Sequence, residues 1–310
     1  MKDKNKFLKN KIKRKNFQSK KAFLKNSGLM IAFSLLFLFS GCLQEPDDID
    51  PGELSNQQKM QQLNIEDPLI WNSNVTQSIE LTPDENTLTK SARAVNYNEF
   101  PKGGDYYFAL FEDLFPSEGD YDFNDVMVKS KLGLSKRGNE VTGYVNSTLL
   151  NKGGALPVEI GLMFYTERGK TYTRIPNEDI SVNGQKLEAD GAPWATPLNE
   201  LGESWTINFS FNHKSANVWI AYFIETEKGE IMSSGFAPSH VEKFTLPHPA
   251  FLTEQNLPWG LEIETDELAI PNEKELFLNA FPEFEEWAKS GGVKNKKWFK
   301  SPDPKYTWKN

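Results

Sequence analysis

NDVMVKSKLGLSKRGNEVTGYVNSTLLN, residues 124–151, decides how the rest of the chain is read. Val126, Val128, Leu132 and Leu134 alternate with Met127, Lys129 and Lys131. After Lys136-Arg137-Gly138-Asn139 the alternation resumes with Val141, Val145 and Leu149. Successive side chains of a strand point to opposite faces, so apolar residues at a period of two mark a half-buried strand. Two such runs around a Gly/Asn turn predict an antiparallel hairpin.

The same period extends outward. Trp205, Ile207, Phe209 and Phe211 alternate with Thr206, Asn208, Ser210 and Asn212. Val158–Tyr165 and Val218–Ile224 are apolar at consecutive positions, as in central strands buried on both faces. Asp105–Glu112 reads as a further strand, and Asn183-Gly184 as a tight turn. Trp71, Ile79 and Leu81 fit an edge strand or a short arm. Strands at this spacing predict a mainly β chain, an antiparallel β-sandwich of jelly-roll type. The tail breaks the pattern. In Asn272–Ser290, residues Leu276, Phe277, Ala280, Phe284, Trp287 and Ala288 recur near helical spacing. Pro282 breaks or restarts the helix and Gly291-Gly292 ends it, predicting a small C-terminal helical segment packed on the sandwich. An aromatic content of 13% in 310 residues suits a packed core.

The N-terminus is of another kind. Residues 1–26 hold eleven Lys/Arg and one Asp, followed by the apolar run Leu29–Phe39 and then Ser40-Gly41-Cys42. A basic segment, a short apolar core and small residues predict a secretory signal over residues 1–41; the run is short for a bilayer span, which needs about 20 apolar residues. Loss of that net +10 takes the formal charge from −8 to −18. Such an acidic body argues against nucleic acid as a partner. Cys42 is the only cysteine, so no internal disulfide can form. Leu38-Phe39-Ser40-Gly41-Cys42 resembles a bacterial lipobox, which implies cleavage before Cys42, lipidation of that residue and a membrane anchor. Residues 42–97 begin acidic and rich in Gln and Asn and read as a tether and N-terminal arm, with the folded domain at 98–310. Glu45, Asp47 and Asp48 resemble the export signal that sends such lipoproteins to the outer face; an ordinary solvated tether explains them equally.

One loop concentrates negative charge. FEDLFPSEGDYDFND, residues 111–125, contains Glu112, Asp113, Asp120, Asp122, Asn124 and Asp125. A hard cation such as Ca²⁺ takes six to eight oxygens at about 2.3–2.6 Å, and these six residues are the candidate metal ligands. Asp120, Asp122 and Asn124 would stand ~6.6–6.8 Å apart along a flat strand, too far to share an ion, so the site needs a tight loop. The spacing matches the first three EF-hand ligands, yet Asp125 stands where that loop needs Gly and Lys131 where it needs Glu, so no EF-hand forms. Tyr121 and Phe123 are expected to anchor the loop from the core side. The competing reading is a solvated acidic loop of Asx turns.

Phe111–Val128, with Gly154–Ile160, Asn256–Ile263, Phe284–Gly292 and Trp298, resembles the LruC-type domain of bacterial lipoproteins and secreted proteins over about residues 105–300. Phe115 and Gly260 depart from the commoner Trp and Ala. The resemblance implies an exported outer-membrane lipoprotein of Bacteroidota or Leptospira type with no established enzymatic activity. It implies no substrate.

Catalytic signatures are weak. His213, His240 and His248 are the only histidines and no GxSxG elbow occurs. A glycosidase would use paired carboxylates, and a glycan-binding module would offer exposed Trp194, Trp219 and Trp259 for stacking on sugar rings. The expectation is a non-enzymatic, calcium-stabilised envelope lipoprotein with a structural or binding role at the cell surface, its ligand a surface protein or glycan.

Overall fold

The computed structural model describes residues 54–65, 79–80, 97–113, 119–154, 157–168, 171–187, 194–195, 200–214, 217–227, 231–233 and 252–309, all within one unit, Asp50–Asn310. Cys42, the leader and the Glu45–Asp48 cluster lie outside the described residues. Seven long strands carry the fold: β1 (Tyr106–Phe111), β2 (Val126–Arg137), β3 (Glu140–Lys152), β4 (Val158–Arg168), β5 (Ser204–Asn212), β6 (Asn217–Thr226) and β7 (Gly260–Thr265). Every pairing among the described residues is antiparallel.

The hairpin read from residues 124–151 is β2–β3, the centre of an eight-stranded sheet ordered β7-β1-β2-β3-β5, then Ser181–Val182 and Gln185–Lys186, with Asn98–Phe100 also on β2. Asn183 and Gly184, both at positive φ, close the short hairpin that lies beside β5 in the sheet, as expected for an Asn-Gly turn. The second sheet has β6 and β4 at its middle, Ile79–Glu80 on the outer side of β6 and Trp194–Ala195 on the outer side of β4. Ile79 thus fulfils the edge-strand expectation; Trp71 and Leu81 lie outside the described residues.

The sheets face each other. Val128, Leu132, Leu134, Val145, Leu149, Ile207 and Phe209 from one sheet share a buried core with Ile160, Leu162, Phe164, Val218 and Ile224 from the other. Phe164 and Phe209 meet across it at 4.7 Å between ring centroids, and Tyr222 Oη and Ser147 Oγ hydrogen-bond across it at 2.6 Å. The pair β3–β5 in one sheet continues as β4–β6 in the other, so two chain crossings interlock the sheets of the antiparallel sandwich.

A second core lies on the other face of β1. Ala109 and Phe111 enter the sandwich, whereas Phe108 and Leu110 turn away from it, and both sets are buried. Phe108 and Leu110 pack with Leu261 and Ile263 of β7 against α2 (Phe277–Ala280), α3 (Glu283–Lys289) and the single turn Trp298–Lys300; α1 (Asn56–Gln61) precedes them in the chain. The helix pair is the predicted one. Pro282 separates the two pieces, and Gly291 and Gly292, at positive φ, donate to Ala288 O and Trp287 O to end α3. Phe277 sits within 5.5 Å of the rings of Phe281, Phe284 and Trp298.

The tether expectation needs one correction. Ser55–Ile65 is structured: Ser55 caps α1 through a reciprocal capping box with Gln58, and Met60, Leu63 and Ile65 are buried in the second core. These three apolar residues are too few to stand out from a Gln-rich stretch, but all pack on the helical layer and recover burial free energy there. No helix among the described residues is long and apolar enough to cross a membrane.

Candidate metal centre

Strand pairing alone brings the two halves of the acidic loop together. β1 and β2 pair up to Phe111↔Val126, so Glu112 and Asp113 leave one strand where Asn124 and Asp125 enter the next. The loop is then tied inward. Phe123 N donates to Glu112 Oε1 at 2.6 Å and Asp113 N donates to Asp125 Oδ2 at 2.8 Å. Asn124 N donates to Asp122 Oδ1 at 3.1 Å, an Asx turn. Tyr121 and Phe123 both adopt φ near +55°, at 57° and 53°. That region costs an L-residue roughly 1–2 kcal/mol. The two reversals coil the segment tightly, and both rings are fully buried, as expected.

The coil brings some of the expected ligands to one point. Among the described residues, Glu112, Asp120 and Asp122 each offer a carboxylate oxygen, and the three lie within 4.8 Å of one another. Two oxygens on opposite sides of an ion at ~2.4 Å would be about 4.8 Å apart, so one coordination sphere spans the three. Asp125 stands beside them, its carboxylate held by Asp113 N and its negative charge acting on Glu112. Asp113 is fully buried, with Oδ2 against Gly154, where any Cβ would run into it. Asn124 uses Nδ2 to donate to Pro271 O at 3.1 Å. The solvated reading is thereby corrected: Glu112, Asp113, Asp122 and Asn124 are each no more than 1% exposed.

Burial of so many carboxylates is costly unless each is neutralised or paired. Desolvation pushes the Glu112 carboxyl well above its ordinary range, and the charges of Asp125, Asp122 and Asp120 push it further. Asp122 rises to about 8 through burial and then the charge of Asp120; Asp125 rises to about 8 through burial and then the charge of Asp113. Among the described residues, the charges acting on these three groups are those of other carboxylates. Glu112 Oε2 and Asn124 Oδ1 are buried with no hydrogen-bond partner among the described residues. A divalent cation would meet both demands, supplying positive charge and occupying an orphaned oxygen. The donors are all hard oxygens, which suits Ca²⁺ better than Zn²⁺.

Residues distant in sequence complete the surroundings. Asn151 Nδ2 donates to Asn124 O at 2.6 Å, and Gly153 and Gly154 donate to Asp125 O at 2.9 and 3.3 Å. Lys274 N donates to Asp122 Oδ2 at 2.8 Å. Glu273, absent from the expected ligand set, lies at the rim: its Oε2 is 3.6 Å from where a Gly153 Cβ would stand, and burial together with the charges of Asp120 and Asp113 raises its carboxyl pKa. No spacing signal links Glu273 to residues 112–125, so the sequence offered no way to find it.

Other candidates fare differently. Trp259 is buried beside the sandwich core and leaves the expected sugar-stacking strip; the side chains of Trp194 and Trp219 lie outside the described residues. His213 N donates to Asn139 O beside the β2–β3 turn, and burial lowers its pKa; His240 and His248 lie outside the described residues.

Comparison with known proteins gives a partial match. Residues 203–299 match the family model Domain of unknown function (DUF4842), a stretch that includes β5 to β7, α2, α3 and Glu273 but stops short of the acidic loop. No curated protein matches the chain. A crystal structure of a candidate lipoprotein from Bacteroides ovatus is similar at 14% identity, with 69% of this chain and 75% of that chain covered and a TM-score of 0.40.

Proposed function

We propose that the chain is a cell-envelope lipoprotein of the LruC type, held in the outer membrane by acyl groups on Cys42 and facing the cell surface. Its β-sandwich is stabilised by one Ca²⁺, and its role is structural or binding rather than catalytic, with a surface protein or glycan as ligand. The leader and Leu38–Cys42 support the anchor. Acyl chains on Cys42 would each contribute about 0.8 kcal/mol per buried CH₂, so two or more make the attachment lasting. The observation that carries the calcium reading is the convergence of Glu112, Asp120 and Asp122 around one point, with Glu112 Oε2 buried and unpartnered. Glu112, Asp120 and Asp122 are the ligands, and Asp125 and Asn124 support them.

The test is a pair of measurements on the full chain in mild detergent. Calorimetric titration is expected to find one Ca²⁺ site, and thermal melts are expected to show a higher Tm in calcium than in chelator. Asp122→Asn keeps the side-chain volume and removes the charge, and is expected to abolish the difference. Equal melting in calcium and chelator would remove the cation from the proposal. Retention of Cys42→Ala in the membrane fraction would remove the anchor.

A further inference from the structure

The acidic loop is also the place where the sandwich meets its C-terminal layer. Asn124 Nδ2 reaches Pro271 O, Lys274 N reaches Asp122 Oδ2, and Phe277 N donates to Tyr121 O at 3.0 Å. The Phe123 ring packs edge-on against Phe277, 5.2 Å between centroids. Each residue of the coil from Tyr121 to Asn124 therefore touches the segment Pro271–Phe277. Asp122 takes part in both structures at once, since its carboxylate belongs to the converging cluster and accepts from Lys274 N.

Resting on the calcium reading above, we infer that the bound cation is a bolt between the two layers: Glu273 closes the coordination sphere from the C-terminal side, and docking of residues 271–309 depends on the ion. Glu112, Asp120 and Asp122 present their oxygens from the sandwich side. Glu273 belongs to the C-terminal segment, and its carboxylate lies beside Gly153, just past the end of β3, close enough to feel the charges of Asp120 and Asp113. With the ion absent, the carboxylates on the two sides of the seam repel each other. With the ion bound, the same groups are bridged. A seam whose facing carboxylates pass from repelling to bridged when calcium binds is a switchable contact; at the seam between the sheets Glu262 is buried, but no such convergent cluster forms there among the described residues.

Hydrogen exchange read by mass spectrometry on the full chain in mild detergent, in Ca²⁺ and in chelator, tests this. Slowing of amide exchange by tenfold or more is expected on calcium binding in residues 277–289, with less than about twofold change in β4 and β6, since exchange reports the opening of each region separately. Glu273→Gln is expected to weaken calcium binding about fivefold or more and to reduce the protection of 277–289, while Glu254→Gln, on an exposed site, is expected to change neither. Calcium binding with equal exchange in 277–289 would overturn the bolt and leave the calcium reading standing. Unchanged affinity in Glu273→Gln would likewise overturn it. Absence of calcium binding to the unsubstituted chain would bring down both.

Discussion

The two seams of this molecule are closed by different physics. Between the sheets, Phe164, Phe209, Leu162 and Val145 meet as apolar surfaces, with the hydroxyl pair Ser147–Tyr222 satisfied across the gap and Glu262 buried on β7. Such a contact is stabilised by burial at roughly 25 cal/mol per Å² and is indifferent to ions. Between the eight-stranded sheet and the C-terminal layer, an aromatic cluster around Phe277 lies directly beside a knot of buried carboxylates. That seam carries a large favourable term and a large unfavourable one side by side. The lesson is that burial alone does not define a core: the carboxylates of the second seam need protons or a positive partner to offset their desolvation.

The largest expected effects come from emptying either seam. Phe164→Ala and Phe277→Ala should each cost about 3–5 kcal/mol in chemical denaturation, the usual loss for a buried Phe. The comparison predicts a difference in kind: Phe164→Ala keeps the full calcium increment in stability, and Phe277→Ala loses much of it. Equal calcium increments in both variants would break the distinction. Calcium itself comes next, worth about 2.7 kcal/mol at a hundredfold excess over Kd. The metal-free protein should also respond to pH. Asp122 and Asp125 stand near 8 in the fold, above their ordinary value of 3.8, so the folded state binds protons more tightly than the unfolded state. Their contribution is fully present below about pH 4 and is lost as pH rises through about 8. Melts in chelator should therefore fall in Tm from pH 6 to pH 9. In calcium the fall should vanish, because the ion replaces the protons. A flat profile in chelator would mean that the carboxylates are relieved in some other way.

The difference between the seams also explains what the sequence disclosed. The sandwich was legible because each strand has a period of two and one apolar face: Val141, Val145 and Leu149 mark their own direction. The helix pair was legible from Phe277 to Ala288 for the same reason at another period. The acidic loop was legible as chemistry but not as geometry. Asp120 and Asp122 converge with Glu112 only because Tyr121 and Phe123 take a backbone conformation that neither residue type favours. Propensity cannot foresee that, since it is imposed by tertiary bonds such as Phe277 N to Tyr121 O and Phe123 N to Glu112 Oε1. Glu273 was invisible because its link to the loop exists only after the chain has crossed both sheets and returned. Met60, Leu63 and Ile65 were overlooked because one face of a six-residue helix shows too little periodicity among glutamines.

A smaller effect isolates the first seam. Gly143 lies opposite Phe209 in the β3–β5 pairing, and a Cβ there would strike the Phe209 ring and the Leu134 side chain. Gly143→Ala should cost about 1–3 kcal/mol through overpacking, with the calcium increment unchanged. Gly154→Ala makes the matching perturbation at the second seam, because its Cβ would strike Asp113 Oδ2 and crowd Asp125 at 2.9 Å. It should weaken calcium binding as well as stability. If both alanines altered calcium affinity alike, the two seams would be mechanically coupled rather than separate.

The smallest effect probes how far the second seam reaches toward the N-terminus. Ser55 Oγ accepts from Gln58 N at 3.2 Å, and Gln58 Oε1 accepts from Ser55 N at 2.9 Å, closing the first turn of α1. Ser55→Ala removes one half of that box and should cost about 1 kcal/mol of helix stability. A helix of six residues cannot persist without its packing, so the loss should appear as faster exchange of Met60 and Leu63 amides and not as a lower global Tm. Asn56 Nδ2 reaches Lys274 O at 3.5 Å, which fastens the start of α1 to the segment that flanks the carboxylate knot, while Asn256 Nδ2 holds Ile65 O, beyond the end of the helix, at 3.0 Å. Removal of calcium should therefore loosen α1 together with α2 and α3. If Ser55→Ala speeds exchange in α1 while calcium leaves it untouched, α1 rests on the helical layer's apolar surface alone, and the ion-dependent part of the seam stops at residues 271–277.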